Sequence, residues 1–432
     1  MRAFLLLLSS ISGFSEFAFA DFSGRIHLEE NSFYEAQVAP IEHFQDNAFF
    51  EFESKNKIND WLRITIEPRI QTSSAQKIVD SSVDFNTRDT LIEFKIDSFH
   101  IQLGSFVKQW EGPDGFNPMD IGTVKNYRDP LNTESLASAG INLSFSGKRL
   151  GWDAFYVPLQ TPSRLPGANS RWLPRKTPFP LKSGLNTLVL PSQPELQVLD
   201  HQEINSALKN NFGVRLQYHG DSWDLSLATF NGAAQLPFFR VRIVGDLVST
   251  LPDGSTVIQL RNPIQLEPVE FYRQSYAAGF VSTLSDTWIF RLAGRFDQPV
   301  GSDPQMPGPS DQFVGGFEKT LTVSEQTLTL SLQYAFGQTL ESPSGVLTIT
   351  DPFKNAILYG MRYPIRESLT LYYGGCWSHL INATYNRFRI EKKINDSFSF
   401  DVGADLIRGP PENLLGVWSA QSRANIGLTY LW

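Results

Sequence analysis

The chain has 432 residues, with Lys+Arg 37 against Asp+Glu 45, a formal net charge of −8, 41% hydrophobic residues and one cysteine. A lone cysteine excludes a disulfide framework, and the acidic balance argues against a general nucleic-acid binder, which needs cations to neutralise phosphates. Gly 31 and Pro 26 are ordinary for a folded chain, and no run approaches the roughly 18 apolar residues of a membrane-spanning helix.

The first residues carry Arg2, an apolar run from Ala3 to Leu8 that continues through Ile11 to Phe14, and then Ala18-Phe19-Ala20 before Asp21. A positive start, a short apolar stretch and an A-x-A end are the parts of a cleaved secretory signal peptide, here residues 1–20. Cys376 lies far from that site, so it is read as a packing residue and not as a lipid-bearing one.

From Asp21 the pattern is two-residue alternation over segments of about ten residues. Leu62, Ile64 and Ile66 oppose Arg63, Thr65 and Glu67; Ile92, Phe94 and Ile96 oppose Glu93, Lys95 and Asp97. Leu328, Leu330 and Leu332 oppose Thr329, Ser331 and Gln333, and Phe398, Phe400 and Val402 oppose Ser399, Asp401 and Gly403. The spacing predicts strands at 21–30, 46–54, 60–71, 89–97, 98–106, 136–147, 150–158, 210–219, 222–231, 268–283, 286–296, 311–321, 326–336, 354–363, 368–377, 382–393, 396–406 and 420–432. Phe238 to Val244 and Thr256 to Leu260 are expected to pair as an external hairpin.

Alternation alone suits a soluble sandwich as well as a barrel in lipid. Strand lengths of 9 to 11 residues and aromatics near strand ends, as in Trp288, Phe290, Phe296 and Tyr373, favour the membrane. The last segment places Ile426, Leu428, Tyr430 and Trp432 on one face and Asn425, Gly427 and Thr429 on the other. It resembles the C-terminal signature of bacterial outer-membrane β-barrels, whose final aromatic the barrel-assembly machinery reads; Tyr430 and Trp432 are the assembly-signal candidates. The expectation is an all-β fold over 21–432, a single transmembrane antiparallel up-and-down β-barrel of about 18 strands, with 16 as the alternative. Links alternate short and long, so both termini are expected to be periplasmic. Lipid cannot satisfy an open sheet edge, so the two end strands should pair.

Two insertions are long enough to carry function. The first, 107–135, contains Trp110, Asp114, Asn117, Pro118 and Asp120, then Arg128 and Asp129. Trp110-x3-Asp114-x2-Asn117-Pro118-x-Asp120 is similar to a pattern in a large, poorly characterised group of outer-membrane barrels, which implies location and architecture and no substrate. Glu111 stands where that group has Gly. Asp114, Asn117 and Asp120 suit a hard cation, capped turns behind a buried Trp110, or a constriction touching a solute. The second, 159–208, holds seven prolines and, between Ser163 and Lys182, the cations Arg164, Arg171, Arg175, Lys176 and Lys182 without an acid. Such a loop can gather anions, hold the phosphates of lipopolysaccharide, or be a solvated surface.

Lumen-facing charges are predicted at Arg63, Arg69, Lys95, Arg215, Arg291, Arg295, Arg387 and Arg389, opposed by Glu67, Glu93, Asp224, Asp401 and Asp405. Histidine spacing suits no metal site, and no nucleophile-elbow or phosphate-loop motif occurs, so neither an enzyme nor a cofactor is expected. The expected function is a porin-like outer-membrane channel for passive diffusion of small hydrophilic solutes, in contact with outer-membrane lipid and lipopolysaccharide. A loop-plugged barrel with a surface-binding or envelope-structural role, and a hydrophobic-solute transporter, are the alternatives. No plug precedes the first predicted strand, which argues against an energy-coupled receptor of the iron-uptake type.

Overall fold

The computed structural model describes residues 22–34, 43–73, 83–113, 115–166, 170–172, 182–183, 186–189, 196–199, 206–250, 252, 256–339, 355–410 and 414–432. The predicted signal peptide lies outside these residues.

The described chain forms a closed antiparallel barrel of 18 strands. They are β1 (Phe22–Phe33), β2 (Phe44–Lys57), β3 (Leu62–Ile66 and Arg69–Ser73), β4 (Val83–Asn86 and Thr90–Ile96), β5 (Phe99–Phe106) and β6 (Ser138–Ser146). There follow β7 (Leu150–Leu159), β8 (Lys209–His219), β9 (Trp223–Ala233), β10 (Tyr272–Ser285), β11 (Trp288–Val300) and β12 (Ser310–Val323). The last six are β13 (Gln326–Thr339), β14 (Ala356–Arg366), β15 (Leu369–Ser378), β16 (Ala383–Lys393), β17 (Phe398–Arg408) and β18 (Arg423–Leu431). Each pairs with its sequence neighbour, and β18 pairs back onto β1, from Arg25 opposite Leu431 to Phe33 opposite Arg423. Every predicted strand is present, the first two included.

Strand β3 is broken at Glu67-Pro68, where proline has no N–H to give the ladder. Its neighbour β4 is broken beside it, at 87–89, and Arg88 there has φ 34°. The alternation sorts side chains as read from the sequence. Leu332, Ile426 and Leu428 are exposed on the outer face, while Thr65, Arg69, Asp401 and Asp405 are buried inside.

One end of the barrel carries eight turns of two to four residues, and the start of β1 and the end of β18 sit there. Ser324 and Glu325 both take positive φ, the conformation of a tight type I′ hairpin turn. Asn59 and Asn395 each accept two backbone N–H groups of the turn that follows. Trp432 closes this end: it stacks on Phe50 and Tyr430, at 5.6 and 5.9 Å, and exchanges backbone hydrogen bonds with Gly24.

Longer connections leave the other end. Two small sheets stand among them, and they correct the predicted hairpin. Phe238–Arg242 pairs with Ile264–Val269, whereas Thr256–Leu260 pairs with Gly245–Thr250. The sequence run chosen as one arm therefore belongs to a different sheet. Tyrosine hydroxyls near this end meet asparagines, Tyr156 on Asn210 and both Tyr359 and Tyr373 on Asn386. Such a pairing satisfies the polar tip of a residue whose ring faces lipid.

Candidate functional site

The segment between β5 and β6 does not leave the barrel; it folds inside. Trp110 is buried, donates its indole N–H to Asp153 of β7 over 2.8 Å, and packs edge-on against Phe155. Asp153 also receives Arg215 of β8, at 2.8 Å, and Lys108. Burial holds Lys108 below the ordinary lysine range, against the opposing pull of Asp153. Asn117 closes the next turn, donating to the Trp110 carbonyl at 2.7 Å and accepting from the Met119 N–H at 2.9 Å. Met119 and Ile121 then enter a buried cluster with Phe155, Phe230, Ala277 and Ala293. Arg273 of β10 donates to the Ile121 carbonyl at 2.9 Å, and Asp120 pairs with Lys125 at 2.9 Å.

The segment continues as a hairpin, Val124–Asn126 with Glu134–Leu136, whose tip reaches the opposite wall. Asp129 meets Arg423 of β18 at 2.6 Å, and Arg387 of β16 donates to the Leu131 carbonyl at 3.0 Å. Arg128 pairs with Asp84 of β4, and Glu134 with Arg69 of β3. Burial raises the Glu134 carboxyl and the Tyr127 hydroxyl above their ordinary ranges. One segment thus spans the lumen and is tied to it by ion pairs and hydrogen bonds on three sides.

The candidates predicted here separate. Trp110, Asn117 and Asp120 build the loop, Arg128 and Asp129 anchor it, and Asp114 lies outside the described residues. Asn117 and Asp120 are taken up by the turn and by Lys125, the arrangement of capped turns behind a buried tryptophan. Among the described residues no group of three or more His, Cys, Asp or Glu is placed to hold a metal ion.

The described part of the second insertion turns inward as well. Residues 125–127 and 164 run side by side, Tyr127 N–H to the Arg164 carbonyl at 2.7 Å and Arg164 N–H to the Lys125 carbonyl at 3.1 Å. Arg164 reaches Asp84 at 3.4 Å and the Phe85 carbonyl at 3.0 Å. Arg171 lies 3.2 Å over the Phe33 ring and donates to Gln421. Burial, with the Arg423 charge nearby, lowers its pKa to about 10. These two cations brace the interior instead of standing in solvent. Arg175 and Lys176 lie outside the described residues, and Lys182 sits in the two-residue strand Lys182–Ser183. Trp172 packs edge-on against Trp418, which donates to the Trp172 carbonyl at 2.9 Å.

By strand parity the predicted lumen charges share the inner face of the wall, and most of them are paired, Lys95 excepted among the described residues. Arg63 approaches Glu93 at 3.7 Å, Arg291 Glu318 at 3.7 Å, Arg295 Asp297 at 2.9 Å and Arg389 Asp401 at 3.0 Å. Glu67 pairs with Arg88 at 3.2 Å. Asp405 is fully buried and accepts from Arg387 at 2.7 Å, Arg423 at 2.9 Å and Tyr385 at 2.9 Å. Sequence reading missed Asp84, Asp153, Arg273, Asp297 and Arg423. Their parity matches the inward set, which was the available signal; their partners lie too far along the chain to be read. Between the loop tip and strands β12 to β16 a cavity of about 750 Å³ remains, lined by Leu131, Glu318, Arg362, Tyr372, Arg387 and Trp418 among others.

No protein-family model and no curated protein matches this chain. Among solved structures it is similar to OccAB3 of Acinetobacter baumannii, at 13% identity and a TM-score of 0.51, over 96% of this chain and 99% of that one. It is also similar to Wzi, an Escherichia coli outer-membrane protein involved in group 1 capsule assembly and described as a carbohydrate-binding β-barrel. That match has 10% identity and a TM-score of 0.51, over 99% of this chain and 88% of the other. At these identities the likeness is one of fold: a closed antiparallel barrel of the outer-membrane porin type.

Proposed function

We propose that the protein is an outer-membrane channel for passive diffusion of small hydrophilic solutes, with residues 107–135 as its constriction. The observation that carries this reading is the lumen itself. Charged side chains line an 18-strand wall, one segment crosses it, and a cavity of about 750 Å³ lies beside the crossing. A barrel of this width is too large for side chains alone to fill. In this reading the turn end and both termini are periplasmic, residues 1–20 direct export, and Trp432 presents the assembly signal. Lys182 and the undescribed Arg175 and Lys176 are left for the external, lipopolysaccharide-facing surface.

Single-channel recording of the refolded barrel in a planar bilayer under a salt gradient tests this. Discrete steps with a reversal potential support the channel, and deleting 112–133 should enlarge them. Silence from a correctly folded, heat-modifiable barrel sinks it. The second reading, a loop-plugged barrel that binds a surface partner, is favoured by the number of anchors on the crossing segment and by the likeness to Wzi. Silence would promote it.

A further inference from the structure

The wall of the 750 Å³ cavity has a specific shape. Reading across the strands at one level, Glu318, Ser331, Gly360, Gly374 and Arg387 stand opposite one another in register, all with inward parity. Two facing glycines leave bare backbone where neighbouring rows have side chains, so the wall is recessed there. A β-carbon on Gly360 would lie 2.6 Å from the Ser331 hydroxyl, and one on Gly374 3.2 Å from the Tyr359 carbonyl. On the turn side the recess is bounded by Arg362 and Tyr372, which are register partners, and on the loop side by Leu358, Cys376 and Tyr385. The loop residues Pro130, Leu131 and Thr133 face it.

Two groups in this niche are left without a protein partner, one exposed to the cavity and one buried. Arg387, Arg389 and Arg291 each have a carboxylate, but among the described residues none reaches the Arg362 guanidinium, which lies 5.9 Å from the Tyr372 ring. The one described acid lining the cavity, Glu318, is engaged by Arg291, so the Arg362 guanidinium can offer its planar fork to a ligand carboxylate. Gln333, buried on the cavity wall, has a side-chain carbonyl with no hydrogen-bond partner. A buried acceptor left this way calls for a donor. Thr329 and Ser331 line the same wall and offer further hydroxyls. A flat glycine floor beside two tyrosine rings suits the face of a ring.

We infer that the niche binds a small hydroxylated ring acid, the chemistry of a sugar acid. The carboxylate lies on Arg362, the ring over Gly360 and Gly374, and the hydroxyls on Gln333, Ser331 and Thr329. The cavity size is within the range of small-molecule sites. The inference deepens the channel reading, since it rests on a lumen that solutes enter.

Calorimetric titration of the full refolded barrel in detergent, with galacturonate and with galactose at matched ionic strength, tests it. Galacturonate is expected to bind saturably and at least about ten-fold tighter than galactose, the worth of one charge-assisted contact. Arg362→Gln should erase that difference and Arg362→Lys restore part of it, with heat-modifiable migration confirming the fold. Should Arg362→Gln not fold, Thr133→Trp, on the exposed loop side, fills the cavity and should block binding. Equal affinity for the two sugars, no binding, or galacturonate binding indifferent to both variants overturns the inference. A barrel that conducts yet ignores galacturonate loses only the niche, and a silent barrel that binds it loses only the channel.

Discussion

The indole of Trp110 and the carboxylate of Asp153 form a hydrogen bond of 2.8 Å between the start of the crossing segment and the barrel wall. Lys108 and Arg215 meet the same carboxylate. Tryptophan supplies both a ring for Phe155 and a donor for the acid, so its two roles can be separated. Trp110→Phe keeps the ring and removes one donor, an expected loss of about 1–2 kcal/mol. Trp110→Ala empties the site and should cost about 3–5 kcal/mol. Denaturant unfolding in detergent, followed by fluorescence, reads both, and a Trp110→Phe variant as stable as the parent would mean the hydrogen bond contributes nothing.

Asp405 is the one carboxylate between Arg387 and Arg423. Asp405→Ala leaves the buried Arg423 with Asp129 as its remaining carboxylate and the partly exposed Arg387 with none. The expected destabilisation is about 3 kcal/mol or more. Asp129→Asn acts differently, because Arg423 keeps Asp405; the fold should survive while the loop tip loosens. Channel recordings of Asp129→Asn should then show more flicker than the parent, and an unchanged trace would argue that the Arg387–Leu131 and Arg128–Asp84 contacts suffice to hold the tip.

Glu270 lies outside the barrel strands and is buried, which raises its pKa from 4.5 to about 8. A carboxyl raised on folding favours the folded state fully below its unfolded pKa. That contribution falls away as pH climbs from about 4.5 towards about 8. The unfolding midpoint should therefore drop across this window, and Glu270→Gln should flatten the drop. A parent curve already flat over the same range would contradict the assignment.

Trp432 covers Gly24, whose added side chain would collide with the indole. Gly24→Val should hence mimic Trp432→Ala, each lowering the yield of heat-modifiable barrel on refolding into lipid vesicles. Normal yield from both variants would leave the seam independent of this contact.

Strand placement was legible because a period of two is a local property: Ile426, Leu428 and Tyr430 declare their face within a few residues. Pro68 even marked the break in β3, though the segment around it was read as continuous. The anchors were not legible, since nothing near Asp129 points to Arg423, 294 residues away. Arg164 and Arg171 were read as a basic surface because no acid lies near them in sequence; their partners Asp84 and Gln421 come from distant strands and loops. The external sheets were mispaired for the same reason, since short strands in loops choose partners by tertiary contact. Parity assigns Arg387 and Arg389 to the inward row, but it gives no sign of which arginine finds an acid.

The joining of Asp129 to Arg423 sets an order of events. Asp129 belongs to the segment after β5, while Arg423 begins the strand that must pair with β1 to complete the cylinder. The crossing segment can acquire its contacts with β7 and β8 early, and Arg128 its pair with Asp84 of β4, yet Asp129 has no partner until the last strand arrives. Wall closure and the last of the tip's anchors are therefore sequential, and Asp129 acts as a latch that clicks only on a finished cylinder. A protease added during refolding would cut an unlatched tip and spare a latched one, so cleavage there reports how many molecules have yet to close.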